Sequence, residues 1–299
     1  MLLKDVVKSY ILCLKSRMVV LFVYTWAAGI SLLLTGAPLS LIVILKTLLA
    51  VTFVSYGIYF YNDIMDLEDD LKNKELGNPI PASRPLGRGL VSKKRMALYA
   101  SISSIFGLTL SYLINMQVFL LQLIYIFMGI LYSTEPIKLK KRFLLKQLTM
   151  ASGLAISHLT GGFALGIINL PIIYITILNA ALAVGVSPIM DLRDISGDKK
   201  IGIKTFPVVW GPELTIRLAI GVLISSEIAT IVGYSRIGFN ISMPILFTVI
   251  VVTLIYVISP LIKKWNDPYY LNVTLHKKVI PLLQLLQLTA VIGIIKFYI

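Results

Sequence analysis

Cysteine is almost absent: Cys13 stands alone in 299 residues, so neither a disulfide framework nor a thiolate metal site can be built. Histidine is nearly as scarce. His158 and His276 form no ligand pattern with any neighbour, and each reads as a packing residue rather than a catalytic one. Charge is thin as well, at 14% of residues against 57% hydrophobic and a mean hydropathy of +0.87, which excludes an ordinary soluble domain.

What fills the chain instead is long apolar runs. Windows long enough to cross a hydrocarbon core, roughly 17–25 residues, fall near 18–35, 39–61, 96–114, 117–133, 147–168, 171–190, 214–234, 242–262 and 279–299. None shows period-two alternation, so the windows read as helices rather than barrel strands. The expected fold is all-α, a polytopic membrane bundle of nine transmembrane helices, with residues 1–299 as a single domain. No cleavable signal peptide is expected, because Met1 to Arg17 carries four basic residues and one acid and no small-residue cleavage site closes the first apolar run.

The basic residues set the topology. Under nine spans, 24 of the 28 Lys and Arg fall on one face: Lys4 to Arg17, Lys72 to Arg95, Lys138 to Lys146, Arg193 to Lys204 and Lys263 to Lys278. The connections near 36–38, 115–116 and 169–170 have none. The positive-inside rule makes the basic face, with the N-terminus, cytoplasmic in a cell membrane. The net charge of +14 is then mainly topological, with a secondary attraction for anionic headgroups or phosphate substrates; nucleic acid is not expected as a partner.

The acidic residues run against this background. Asp63, Asp66 and Asp70 repeat at i, i+3, i+7, and so do Asp191, Asp194 and Asp198. On a helix that spacing stacks carboxylates along one face, where they repel unless compensated. Both clusters follow apolar windows directly, at a boundary where ionisable groups are expensive and usually functional, and both fall on the basic face. Magnesium prefers oxygen ligands and is usually bound through one or two carboxylates plus substrate phosphates. Two such clusters suggest two Mg2+ ions with a diphosphate between them, and hence ionisation of a prenyl diphosphate at the bilayer surface.

At these residues the chain resembles the UbiA superfamily of intramembrane prenyltransferases. Asn62, Asp63, Asp66 and Asp70 fit its Asn-Asp-x-x-Asp-x-x-x-Asp signature, and Arg84-Pro85-Leu86-x-x-Gly89-x-x-Ser92 is similar to a stretch common in that family. Asp191, Asp194 and Asp198 fit the second signature, followed by Gly202, Thr205 and Pro207. The family's Tyr-x-x-x-Lys element is altered: Tyr132 is followed at that spacing by Pro136, and the nearest lysines are Lys138 and Lys140. The Arg-Pro pair that aromatic-acid prenylating members have at the first span is replaced by Lys15-Ser16-Arg17-Met18.

The resemblance implies that the six aspartates hold the metals and, with Tyr132, carry catalysis. Asn62, Arg84, Arg88, Lys138, Lys140 and Lys199 become candidates for substrate binding. Asn179, about three turns before Asp191, lines the cavity or bonds a neighbouring helix. Tyr56, Tyr59, Tyr61 and Tyr132 are candidate π faces for an allylic cation. Gly197 is expected to break the helix before Asp198, and the connections 62–95 and 191–213 to be long loops able to act as lids. Among family members the chain looks most like archaeal ones that transfer a geranylgeranyl group from its diphosphate to geranylgeranylglyceryl phosphate in phospholipid biosynthesis. An aromatic acceptor of quinone biosynthesis is the alternative. A phosphatidyltransferase would need an Asp-Gly-x-x-Ala-Arg stretch, which is absent. A transporter would place charged or broken-helix features near the midplane, whereas these acids lie at one edge.

Overall fold

A computed structural model describes residues 3–75 and 80–295 of the chain. Among the described residues every regular element is helical. The chain divides into two compact units, Met1–Gly29 with Leu39–Leu139 and Ile30–Pro38 with Lys140–Ile299.

The first unit holds α1 (Leu3–Ser16), the start of α2 (Trp26–Leu34), α3 (Leu41–Met65), α4 (Leu67–Glu75), α5 (Lys93–Tyr112) and α6 (Met116–Ser133). Polar side chains define the starts of three of these helices. Ser40 accepts from Val43 N at 3.3 Å, Ser92 from Arg95 N at 3.3 Å and Asn115 from Val118 N at 2.9 Å, each satisfying an amide that the helix leaves open. Helices α3 and α5 lie in close approach because small residues face each other. A Cβ added to Gly107 would come 2.6 Å from Val54 N.

A hydrophobic core in this unit packs Cys13, Val20, Tyr56, Phe60, Met96 and Tyr99 with Leu86 and Val91. The latter two belong to the turn-rich segment 80–92, so this connection is anchored by its own apolar side chains. The expected long loop over 62–95 is therefore part helix and part anchored turn. Residues 76–79, expected to be irregular, lie outside the described residues.

The second unit holds the end of α2, then α7 (Leu145–Phe163), α8 (Leu170–Gly185), a 3-10 turn over Ser187–Asp194, α9 (Ile195–Ile201) and α10 (Phe206–Val209). It continues with α11 (Pro212–Ile237), α12 (Ser242–Ile258), α13 (Leu261–Lys264), α14 (Pro268–Thr274) and α15 (Ile280–Ile294). His158 of α7 is fully buried and bonds Ser31 Oγ at 2.9 Å through Nδ1 and Asn179 Nδ2 at 2.8 Å through Nε2. It is thus a satisfied packing residue, and Asn179 of α8 is its partner.

Six helical stretches are long and apolar enough to cross a membrane among the described residues: Leu41–Met65, Met116–Ser133, Leu170–Lys200, Pro212–Ile237, Ser242–Lys264 and Pro268–Ile294. Counting the bent pair Lys4–Ser16 and Leu21–Leu34, which meet at 58°, as one span gives seven. The protein is an integral membrane protein of helical architecture. The expected nine spans are not all reached by composition. Helices α5 and α7 fall short because they mix Ser, Thr, Gly and basic residues into the apolar sequence. In α7 much of this polarity, including Gln147, Thr149, Ser157 and Thr160, is buried against protein, where lipid does not select the side chain. The stretch before Arg17, read as an extramembrane arm, is helix α1, and its window is bent rather than straight.

The close approach of α3 and α5 carries an expectation. Gly107→Ala should destabilise the protein by about 1–3 kcal/mol, the usual range for overpacking, read as a lower thermal midpoint in detergent. An unchanged midpoint would mean that this approach is not tight.

Candidate active site

Helix α3 delivers Asn62 and Asp63 in its last turn, Asp66 caps it, and α4 carries Asp70 in its first turn. The backbone runs nearly helically through the junction, with Asp66 N bonding Asn62 O at 2.9 Å and Asp70 N bonding Asp66 O at 2.9 Å. The i, i+3, i+7 spacing therefore does bring the three carboxylates to one side.

A single guanidinium meets them. Arg84 donates from Nη1 to Asp63 Oδ1 at 2.7 Å and to Asn62 Oδ1 at 3.2 Å, and from Nη2 to Asp66 Oδ2 at 3.0 Å. Its Nε lies 3.7 Å from Asp70 Oδ2. Asp63 is only 1% exposed, and Arg17, 7% exposed, donates to the same Asp63 Oδ1. Three carboxylates against two guanidinium groups leave one net negative charge. Asn62 is fixed from its other side, donating from Nδ2 to Ser133 Oγ at 3.0 Å.

Arg17 was legible only as a topological charge. Its signal was its position, an arginine at the mouth of an apolar window, where a charge needs a partner. Lys138 joins the rim of the same unit, 3.1 Å from Asp69 Oδ2 and 3.3 Å from Glu135 Oε1. Burial works against its charge, but these carboxylates outweigh burial and hold the ammonium above the usual lysine range. Lys140 is buried, Tyr132 is half-buried, and Arg88 is exposed.

Of the candidate aromatic faces, Tyr59 lies beside this cluster, with Arg17 5.4 Å from its ring centre. Tyr24 sits 6.0 Å from Tyr59 and 5.6 Å from Tyr125, so three tyrosines from three helical segments form one group. Tyr24 and Tyr125 were not singled out from sequence, since an isolated tyrosine in an apolar run carries no local pattern. Tyr56 instead stacks on Phe60 in the hydrophobic core of this unit, and Tyr61 bonds Thr134 Oγ1 at 2.7 Å.

In the second unit Asp191 and Asp194 lie on the 3-10 turn that follows α8, and Asp198 lies on α9. The expected break at Gly197 is not there. Pro188 sits at the start of the 3-10 turn, so the helical path changes before the acids rather than between them. The chain ends α9 at Gly202, whose left-handed φ of 75° suits glycine, and Ile203 N bonds Asp198 O at 2.9 Å.

The three acids here differ in environment. Asp191 is held at both oxygens, by Lys146 Nζ at 2.8 Å and Gln147 Nε2 at 3.2 Å. Asp198 is buried and accepts from Thr205 Oγ1 at 3.3 Å. Asp194 is 59% exposed, 3.7 Å from Arg193. Lys199 and Lys200 are exposed on α9. Lys146 and Gln147, at the start of α7, are further residues that sequence reasoning did not assign to the acids.

Magnesium fits these donors. Asp63 Oδ2 and Gln147 Oε1 are buried oxygens without a hydrogen-bond partner, one in each unit and each beside a carboxylate group. Among the described residues no three acidic, His or Cys side chains converge on one point by themselves. That does not oppose magnesium, which fills much of its shell with water and substrate phosphate.

Buried carboxylates compensated by arginine thus stand at the end of an apolar helix of an integral membrane protein. The profile of the UbiA prenyltransferase family matches residues 20–269, and the chain belongs to that family. It is 31% identical over 159 residues to the digeranylgeranylglyceryl phosphate synthase of Pyrococcus furiosus; the match covers 52% of this chain and 53% of that protein, about half of each. Its fold is similar to a solved structure of a digeranylgeranylglyceryl phosphate synthase in membranes, with a TM-score of 0.69 at 21% identity over 98% of this chain and 100% of the other. It is likewise similar to a UbiA homologue from Archaeoglobus fulgidus bound to DMAPP and Mg2+, with a TM-score of 0.71 at 21% identity over 95% of this chain and 97% of the other.

Removing Arg17 should expose the charge balance at Asp63. Arg17→Met is expected to destabilise the protein by about 3 kcal/mol, as breaking a buried ion pair does, with Asp63→Asn in the same chain restoring part of the loss. Thermal midpoints of the two single variants and the double variant, measured without substrate, give the coupling. Additive losses would show that the pair contributes nothing.

Proposed function

We propose that the protein is a magnesium-dependent prenyltransferase that moves a geranylgeranyl group from its diphosphate to geranylgeranylglyceryl phosphate, a step of membrane phospholipid synthesis. The observation that carries this reading is the arginine-bridged set Asp63, Asp66 and Asp70 at the membrane end of α3. The glycerol-phosphate acceptor is supported by the relative from Pyrococcus furiosus. The basic residues support a cytoplasmic N-terminus and reaction face, and α5 and α7 complete a count of nine spans.

In this reading Asp63, Asp66 and Asp70 would hold one magnesium ion, and Asp191, Asp194 and Asp198 would hold a second. Magnesium, when bound, neutralises charge on the departing diphosphate. Arg84 offers a planar fork to the phosphate oxygens, with Arg88 and Lys138 adding positive charge in the same unit, and Lys140 and Lys199 are the candidate phosphate ligands of the second unit. Asn62, oriented by Ser133, keeps the first carboxylates in register. The bond between C1 of the prenyl chain and the diphosphate oxygen breaks, and the electron pair leaves with the diphosphate. Tyr24, Tyr59 and Tyr125 keep water from the allylic cation and present π faces to it, with Tyr132 nearby in sequence on α6. The acceptor's hydroxyl oxygen then bonds to C1 as that hydroxyl gives its proton to the released diphosphate.

The test is transfer of radiolabel from geranylgeranyl diphosphate by the protein in nanodiscs, with geranylgeranylglyceryl phosphate and 4-hydroxybenzoate offered in parallel. Magnesium-dependent labelling of the glyceryl phosphate is expected, abolished by chelation. Asp66→Ala and Asp194→Ala should each lower the rate by about 100-fold or more, the scale on which single electrostatic groups act in catalysis. Labelling of the aromatic alone would replace the acceptor. No diphosphate release with any acceptor would end the prenyltransferase reading.

A further inference from the structure

Three nitrogens of Arg84 face three different carboxylates, at 2.7 Å for Asp63, 3.0 Å for Asp66 and 3.7 Å for Asp70. A guanidinium so placed holds one oxygen each of Asp63 and Asp66 and faces one of Asp70, so it competes with a cation for this cluster while Asp63 Oδ2 stays without a partner. Magnesium demands oxygens at about 2.0–2.1 Å in octahedral array, and it repels a guanidinium held in the same set. This accounts for why the acids, as they stand, do not converge: their oxygens are arranged around a plane of N–H donors.

The two arginines are not equivalent. Arg17 has a side chain 8% exposed, locked on Asp63 and packed over Tyr59. Arg84 has a side chain 20% exposed and projects from a turn pinned by Leu86 and Val91, so the side chain can turn without moving the segment. A displaced guanidinium needs an anion. A diphosphate supplies one of matching geometry, so exchange is favourable when metal and diphosphate arrive together and unfavourable for the metal alone.

We infer that Arg84 is a resident counter-ion of the first carboxylate cluster, displaced by a metal–diphosphate complex but not by free metal, so that this enzyme takes its metal with its substrate. The inference rests on the reading that these carboxylates hold metal, and it makes Arg84 a substrate-binding residue that couples the two ligands. By linkage, each ligand then raises the affinity for the other by the same factor.

The test measures binding without turnover. Free Mn2+ is followed by electron paramagnetic resonance with the full chain in nanodiscs, carrying Asp194→Ala to weaken the second cluster. Titrations are run with and without inorganic diphosphate, for Arg84 intact, Arg84→Gln and Arg84→Lys. With Arg84 intact, Mn2+ should bind weakly alone and about tenfold or more tighter with diphosphate, within the usual range of such couplings. Arg84→Gln should bind Mn2+ alone about tenfold tighter than the intact chain and lose most of the gain from diphosphate. Arg84→Lys, whose single ammonium cannot span three carboxylates, should fall between them, and it carries the test if the glutamine variant does not fold. Equal Mn2+ affinity across all three forms overturns the counter-ion role while leaving the metal site intact. No Mn2+ bound by any form, with or without diphosphate, overturns both.

Discussion

The burial of Asp63 is the constraint on which the first unit turns. A carboxylate 1% exposed at the end of an apolar helix is tolerable only with opposite charge within hydrogen-bond reach. That requirement draws Arg17 from the bend after α1 and Arg84 from the turn before α5 to the same oxygen. The apolar anchors Leu86 and Val91 then explain why the turn lies where it does, and the small-residue approach of α3 and α5 explains how the chain returns so close. Charge, packing and backbone thus fix one geometry together.

The second unit meets the same demand differently. Asp191 is held by an ammonium and an amide from α7, and Asp198 by a threonine hydroxyl, while Asp194 stays open to solvent. The chain here carries its acids on a 3-10 turn and a short helix instead of on one long helix. In a 3-10 turn residues three apart eclipse, which keeps Asp191 and Asp194 on one side despite the change of path. Asp194 is the most solvent-open of this unit's three carboxylates.

Much of this was legible in the chain. The aspartate spacing, Asn62 and Arg84 could be read because they form local patterns, and the apolar windows fall on helices because lipid selects composition over long runs. Arg17, Gln147, Tyr24 and Tyr125 were not read, because their partners lie far away in sequence: Arg17 is 46 residues from Asp63, and Gln147 is 44 from Asp191. The window at 147–168 does fall on α7, although the polar residues of that helix, buried against protein, dilute its apolar composition. Gly197 misled because a glycine inside a short helix is tolerated when a better left-handed terminator, Gly202, follows five residues later.

Each acidic cluster is proposed above as a metal site for catalysis on a prenyl diphosphate. The most direct measurement is anomalous scattering from Mn2+ in crystals grown with a non-ionisable thiolo analogue of geranylgeranyl diphosphate. A peak beside Asp63 Oδ2, a second beside Asp194, and the Arg84 guanidinium turned onto phosphate oxygen are expected. Analogue bound with no metal peak near any of the six aspartates would contradict it.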